Sequence, residues 1–497
     1  MTATLDPSQT TDTLTHAMAR FAVQTRFEDL PAEVVDYTKL LILDSLICGI
    51  AASDAERTRM SHKLAERLGG PAEATVFGMG TQVPSGLAAS INSEIMNYLD
   101  ADDTFFNTAH FVVLNVAAAL AEAERVHGSG ADLVRAVAVG FDLSARVNLA
   151  GELLTFEDNE FKWSSLIGSG YASIGAAASG GIVSGLDTEQ MANALSLVTG
   201  TAPTARNAGM STRREFSSYK YAPYFHLGQT AMTALLMAEV GYKGEHEDFD
   251  IEPGFLEGQG FLKSDVTKLH RTLGEQWWIL DSAVKYTPAC RYTSAPSMVL
   301  QKFMRDNALA PEDIESIEVR LNPAAYHMSL FSNPETNFAY NHRAPFKAQF
   351  NIPYVLAQMA LGRTPGPGWY TEDAITDPQV WAFAERITPA PAPLLTEEWD
   401  DQINQSDEGR PRRTRGSLTI RTADQELVVE SDYAPGDPWS DETRPTWETI
   451  DTKFRNFCAG ILTDQQIDDI TRVVRDLENV DDISTTLTPL LLRTAQR

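Results

Sequence analysis

The chain has little cysteine and little positive charge. Cys48, Cys290 and Cys458 are its only thiols in 497 residues. Odd in number and far apart, they exclude a disulfide framework and any locally spaced zinc or iron–sulfur site. Against 68 acidic side chains stand 40 basic ones, a formal net charge of -28. That balance argues against nucleic acid and anionic membranes as partners, since both reward basic patches. Long apolar runs are missing too. The longest, Leu40 to Ala52, is broken by Asp44 and falls short of the roughly 20 residues a membrane helix needs; it predicts a buried helix. Met1 to Asp12 is polar and lacks a basic segment joined to an apolar one, so no secretory signal is expected and the default location is cytoplasmic.

A hydrophobic content of 43% predicts a large buried core. From about residue 13 the pattern is almost wholly helical. Leu133, Val137 and Phe141 share one face while Arg135, Asp142 and Arg146 fall elsewhere, and Asp187 with Gln190 forms a capping box. The glycine-rich stretch Gly168 to Gly181 follows no predicted strand and lacks the third glycine of a dinucleotide loop. Close helix packing explains it better, and no cofactor is expected. After about residue 275, Ile317, Val319 and Leu321 alternate with polar neighbours as in a strand. Leu418 and Ile420, then Leu427 and Val429, form two more strands around Thr422 to Gln425. Thr388 to Pro393 and Asp400 to Gly416 read as surface loops. Helical spacing returns at Ile467, Ile470, Val474 and Leu477 behind a capping box of Thr463 and Gln466. The expected fold is mainly α: a large all-helical domain over 13–274, a smaller α+β lid over 275–440, and helices over 441–497 returning to the first domain.

The chemistry-bearing residues are concentrated. Asp100, Asp102 and Asp103 precede Thr104 and His110, and two lysines stand in tyrosine-, proline- and serine-rich settings, Lys220 and Lys285. Removing a proton from carbon next to a carboxylate builds up dianionic charge, which a metal-free site must meet with a base and fixed cations. Arg206, Arg213, Arg214 and Lys220 form one basic segment, Lys285 and Arg291 another. Either cluster suits reception of an organic anion. Cys290 beside Arg291 is a possible activated thiol, though buried packing is the commoner fate.

With these residues in place, the chain resembles the MmgE/PrpD family of 2-methylcitrate dehydratases, cis-aconitate decarboxylases and an iminodisuccinate epimerase. The resemblance runs through the Leu40-Leu-Ile-Leu-Asp-Ser helix, Asp102-Asp103-Thr104, Lys220 before Val240-Gly-Tyr242, Gly254 to Phe261, Lys285 to Thr293 and Pro435 to Pro438. It implies a helical domain with an α+β lid, a homodimer and no cofactor or metal. It also implies that the active-site aspartate is Asp102 or Asp103, with Thr104, His110, Lys220 and Lys285 beside it and Tyr354 as a weaker match. Asp102, Asp103 or His110 is expected to move the proton, Lys220 and Lys285 to hold the anion, and Arg206, Arg291 and Tyr292 to contact the substrate. Two family histidines are replaced, one in the Lys162-Trp163-Ser164-Ser165 segment and one at Ser294. The favoured expectation is a hydratase or dehydratase of a di- or tricarboxylate. Decarboxylation, epimerisation and an inactive ligand-binding homologue stand as alternatives.

Overall fold

The computed structural model describes residues 12–106, 109–152, 154–157, 160–163, 166–167, 169–203, 206–207, 220, 222–323, 325, 340, 344–390 and 393–493. Among the described residues nine longer helices come first: α1 (Leu14–Gln24), α2 (Ala32–Ala51), α3 (Glu56–Leu68), α4 (Ser85–Asn97), α5 (Val112–Val126), α6 (Gly130–Ala150), α7 (Ala172–Val183), α8 (Thr188–Thr201) and α9 (Tyr224–Glu239). From Tyr37 to Ala51 every side chain of α2 is buried, as expected of a helix that is apolar all round. It packs against α4, α5 and α6, and the late helices Trp447–Phe457 and Asp464–Arg475 lie against it as well.

The stripe of small residues in α7 has a measurable purpose. α7 crosses α6 so closely that a Cβ built on Gly175 would overlap the carbonyl oxygen of Gly140, and one on Gly140 would overlap Ser179. Only hydrogen fits at this crossing. α6 is more deeply buried than its amphipathic pattern suggests, because its polar residues are inside as well. Asp142 and Arg146 pair at 2.5 Å, and the guanidinium also donates to the carbonyls of Thr272 and Gln276 at 2.9 and 3.0 Å.

In the later half a four-stranded sheet takes the order Ile387–Ala390, Ile314–Arg320, Gly416–Thr422, Glu426–Ser431. The last two strands form the hairpin expected from their alternation, Leu418 opposite Val429 and Ile420 opposite Leu427. Ile317, Val319, Leu418 and Ile420 are buried, and the helix Ser294–Asp306 packs on the sheet. Three expectations need correction. Thr388 to Ala390 belong to a strand parallel to Ile314–Arg320 rather than a loop. Proline is tolerated there because the strand is at the sheet edge, where a missing N–H breaks no ladder. Asp400 to Asn404 close the helix Pro393–Asn404. The first half also holds a hairpin, Leu154–Glu157 against Glu160–Trp163, whose alternating Leu154, Phe156, Phe161 and Trp163 around Asp158-Asn159 carried a strand signal.

Replacing Gly175 by alanine forces α6 and α7 apart. We expect a loss of about 1–3 kcal/mol of stability, read as a lower urea midpoint at unchanged slope, whereas Gly185→Ala, with open space around it, should cost only the strain of its positive φ.

Candidate active site

The loop that follows α4 carries the three aspartates. At Asp100 the backbone turns through φ 56°, the left-handed region that aspartate enters more readily than most residues. All three carboxylates are buried. The two-residue strand Thr104–Phe105 then pairs antiparallel with Ser282–Ala283, which brings Lys285 to the loop from the later half of the chain. Lys220 enters just before α9, also at positive φ, 57°, and α9 packs on α4. His110 stands two residues before α5. Three remote segments thus converge.

The two lysines differ in how they are held. Lys220 Nζ lies 2.7 Å from Asp100 Oδ1 and donates to the carbonyl of Asn97 at 2.8 Å, at the carbonyl end of α4 where a cation is favoured. Lys285 Nζ is 3.5 Å from Asp100 Oδ2 and 4.0 Å from Asp102 Oδ1. It is completely buried and, among the described residues, makes no hydrogen bond. An ammonium has three donors, and leaving them unmet in the interior is costly. An acceptor brought by a ligand would complete the set.

His110 is oriented from two sides. Its Nδ1 meets the backbone carbonyl of Asp103 and lies 3.4 Å from Asp102 Oδ2. Since a carbonyl only accepts, Nδ1 carries the hydrogen, and the lone pair of the neutral ring is on Nε2. Asp102 is fixed in turn by Asn97, whose Nδ2 donates to Oδ2 at 3.0 Å. Asp103 points elsewhere. Its oxygens accept from the backbone N–H groups of Phe111 and Val112 at 3.3 and 3.1 Å and from Ser282 Oγ at 3.2 Å, so it ties the start of α5 to the Ser282–Ala283 strand.

The electrostatics divide these groups. Burial alone would raise Asp102, but His110, Lys285 and Lys220 outweigh it and hold the carboxyl well below the usual range. Burial likewise opposes Asp100, and Lys220 and Lys285 bring it below its ordinary value. Asp103 is pushed up to about 7 by burial and by the charge of Asp102. Lys220 is lowered to about 8 by burial, against the pull of Asp100 and Asp102. Cys290 is pushed up to about 12 by burial and by Asp100, which keeps it a thiol. Among the described residues no group of His, Cys, Asp or Glu is arranged to hold a metal ion.

Residues 16–263 match the MmgE/PrpD N-terminal domain and residues 287–479 the MmgE/PrpD C-terminal domain. The chain belongs to the MmgE/PrpD family. Among curated proteins it is similar to the cis-aconitate decarboxylase of Aspergillus terreus (strain NIH 2624 / FGSC A1156), 24% identical over 512 residues that span 96% of this chain and 95% of that protein. The human cis-aconitate decarboxylase is 25% identical over 487 residues, 93% of this chain and 91% of that protein.

In this MmgE/PrpD protein Asp102, Asp103, His110, Lys220 and Lys285 come together, with Asp100 as the shared counter-ion that sequence reasoning had grouped with them without a role. Asn97 and Ser282 went unnoticed. Their signal was position, three residues before Asp100 and three before Lys285. Among the described residues, the buried hydroxyls of Thr104 and Ser294 have no hydrogen-bond partner. Other expected substrate contacts are engaged by the protein itself. Arg291 is buried in an ion pair with Asp437, so a carboxylate of the fold meets its charge. Tyr354 donates its hydroxyl to the carbonyl of Trp369 and its ring packs 5.5 Å from that of Trp381, a core position. Tyr292 is buried beside Trp399, ring centres 6.1 Å apart. The backbone of Arg206 pairs with Ile167, but its guanidinium is outside the described part, as are Arg213, Arg214, Ser164 and Ser165. Among the described residues no helix is long and apolar enough to cross a membrane.

Asp103 yields a signed pH prediction. A carboxyl whose folded pKa is raised gives stability that is complete below its unfolded value of 3.8 and lost as pH rises through the folded value of about 7. Urea unfolding at pH 5 and pH 8 should therefore show a fall that Asp103→Asn diminishes. An identical pH dependence in the variant would remove Asp103 as its source.

Proposed function

We propose that this chain is a lyase of small polycarboxylic acids, and that decarboxylation of an unsaturated di- or tricarboxylate is its reaction. The observation that carries the reading is the Lys285 ammonium, fully buried and without a hydrogen bond among the described residues. A substrate carboxylate supplies the acceptors that this group lacks, and Lys220 adds a second cation. Both stabilise the charge that spreads onto the remaining carboxylate when carbon dioxide departs. His110, with Nδ1–H held, takes a proton from solvent on Nε2 and in that imidazolium form, its charge balanced by Asp102, delivers it to carbon.

Water loss, which the sequence alone favoured, passes through the same delocalised carbanion. It asks for more, because a second acid must protonate the departing hydroxyl. Asp103 is the carboxyl pushed toward neutral pH, yet its oxygens already serve Phe111, Val112 and Ser282. Decarboxylation needs one proton at carbon, which suits a site whose described imidazole is His110. The names of the relatives, matched over more than nine-tenths of both chains, support the same branch. Dimerisation, implied by the family resemblance, belongs to this proposal as well.

The purified protein should release carbon dioxide from cis-aconitate or a related unsaturated acid and place one solvent deuteron on carbon in D₂O. A product that has lost water and kept all its carboxylates would transfer the proposal to dehydration. Lys285→Met should lower kcat/KM by about 100-fold or more, the scale of removing a preorganised donor from a developing anion; turnover equal to that of the unaltered protein would end the role given to Lys285.

A separate expectation comes from Lys220. Its ammonium is the active form, so turnover should fall as pH rises through about 8. In Lys220→Arg, where the charge persists, the alkaline limb should move upward whatever the residual rate.

A further inference from the structure

Asp44 interrupts the most apolar stretch of the chain and is buried in the middle of α2. The sequence noted the interruption and gave it no purpose. Its counter-charge comes from 409 positions away, where Lys453 Nζ lies 2.5 Å from Asp44 Oδ1. The same ammonium donates to the carbonyl oxygen of Ala101 at 2.7 Å. Lys453 is itself fully buried, its Nζ 5.3 Å from the centre of the Phe457 ring. Ala101 is the residue between Asp100 and Asp102. One buried cation therefore grips both the central helix and the backbone between the carboxylates that hold Lys220, Lys285 and His110.

We propose that Lys453, seated by Asp44, is a positioning residue for the reaction: by fixing the Ala101 carbonyl it sets where the Asp100 and Asp102 side chains leave the loop, and so how Asp102 meets His110. A peptide unit is planar, so a carbonyl held by an ammonium fixes the plane that follows it into Asp102. Charge-assisted hydrogen bonds are stronger than neutral ones, and here the donor cannot swing away because Asp44 holds it. The charges around this pair belong to the same assembly. Asp44 is influenced by Lys453, Asp102 and Lys285, and itself acts on Tyr37, Cys48 and Tyr286. His110 faces Asp102 and the carbonyl of Asp103, with Asp100 close enough to feel its charge.

This inference rests on the lyase reading only for its turnover arm, and the experiment has a second arm that does not. The full-length protein is labelled with ¹³C at histidine Cε1, the His110 signal is identified by its loss in His110→Gln, and its titration is followed by NMR. Lys453→Met leaves Asp44 unpaired and is prone to unfold. The double variant Asp44→Asn with Lys453→Met removes both charges together, a change that buried pairs often tolerate, and it carries the test. If the pair positions the loop, the double variant stays folded, but its His110 midpoint moves by about half a pH unit or more. On whichever acid the protein converts, kcat falls by about tenfold or more while KM changes little. A folded double variant with the His110 midpoint of the unaltered protein would overturn the proposal and leave the pair a fastening of α2 alone. If the unaltered protein converts none of the acids, the lyase reading fails, and the His110 midpoint still decides the role of Lys453.

Discussion

Attraction between aspartate and lysine in the buried interior is the interaction on which this molecule depends. Asp44, Asp100 and Asp102 are buried, as are Lys220, Lys285 and Lys453, three carboxylates against three ammoniums. Desolvating each charge costs several kcal/mol, and only close, hydrogen-bonded partners offset it. Removing a single member of such a pair costs about 3–5 kcal/mol, because it strands the other. Asp100 is the pivot, since it faces Lys220 at 2.7 Å and Lys285 at 3.5 Å. Around this polar centre stand aromatic rings, with Phe105 within 5.7 Å of Phe106, Phe111 and Phe141, measured between ring centres. They keep water out and the local dielectric low, which strengthens every charge interaction inside.

The same balance explains the division of labour. Each carboxylate has one structural obligation. Asp100 neutralises the lysines, Asp102 orients the imidazole, and Asp103 caps α5 and holds Ser282. None of the three is spare; in the proposed reaction it is Nε2 of His110 that moves the proton and Lys285 that receives the acid. A small acid with more than one carboxylate suits such a place, because it brings acceptors to a cation whose own counter-ions stand at 3.5 and 4.0 Å.

Much of this was visible in the chain before any coordinates. Periodicity located the helices and the Leu418–Val429 hairpin, since strands and helices with one buried face repeat their apolar residues at fixed steps. The capping boxes at Asp187 and Thr463 took the hydrogen bonds their spacing implied. The aspartate cluster, His110 and both lysines stood out because charged residues beside apolar or aromatic ones must be explained. What the sequence did not reveal has a common cause. Arg291 and Tyr354 have residue types that suit substrate contact, and only the fold shows their protein partners, Asp437 and the Trp369 carbonyl. Thr388 to Ala390 looked like a loop because proline density outweighs strand propensity in a short window, and an edge position is a property of the assembled sheet. Asp44 and Lys453 are the instructive pair. Each is a charge on an apolar helical face, and each was half of a signal whose other half lay most of the chain away.

That separation has a consequence for biosynthesis. A ribosome adding roughly 5–20 residues per second needs on the order of 20–80 s to travel from Asp44 to Lys453, 409 positions on. Throughout that interval the nascent α2 presents an apolar surface carrying an acid with no cation to meet it. Until Lys453 has emerged, the helical half cannot close around Asp44 in its ion-paired form, and the helix Trp447–Phe457 brings the charge that completes it.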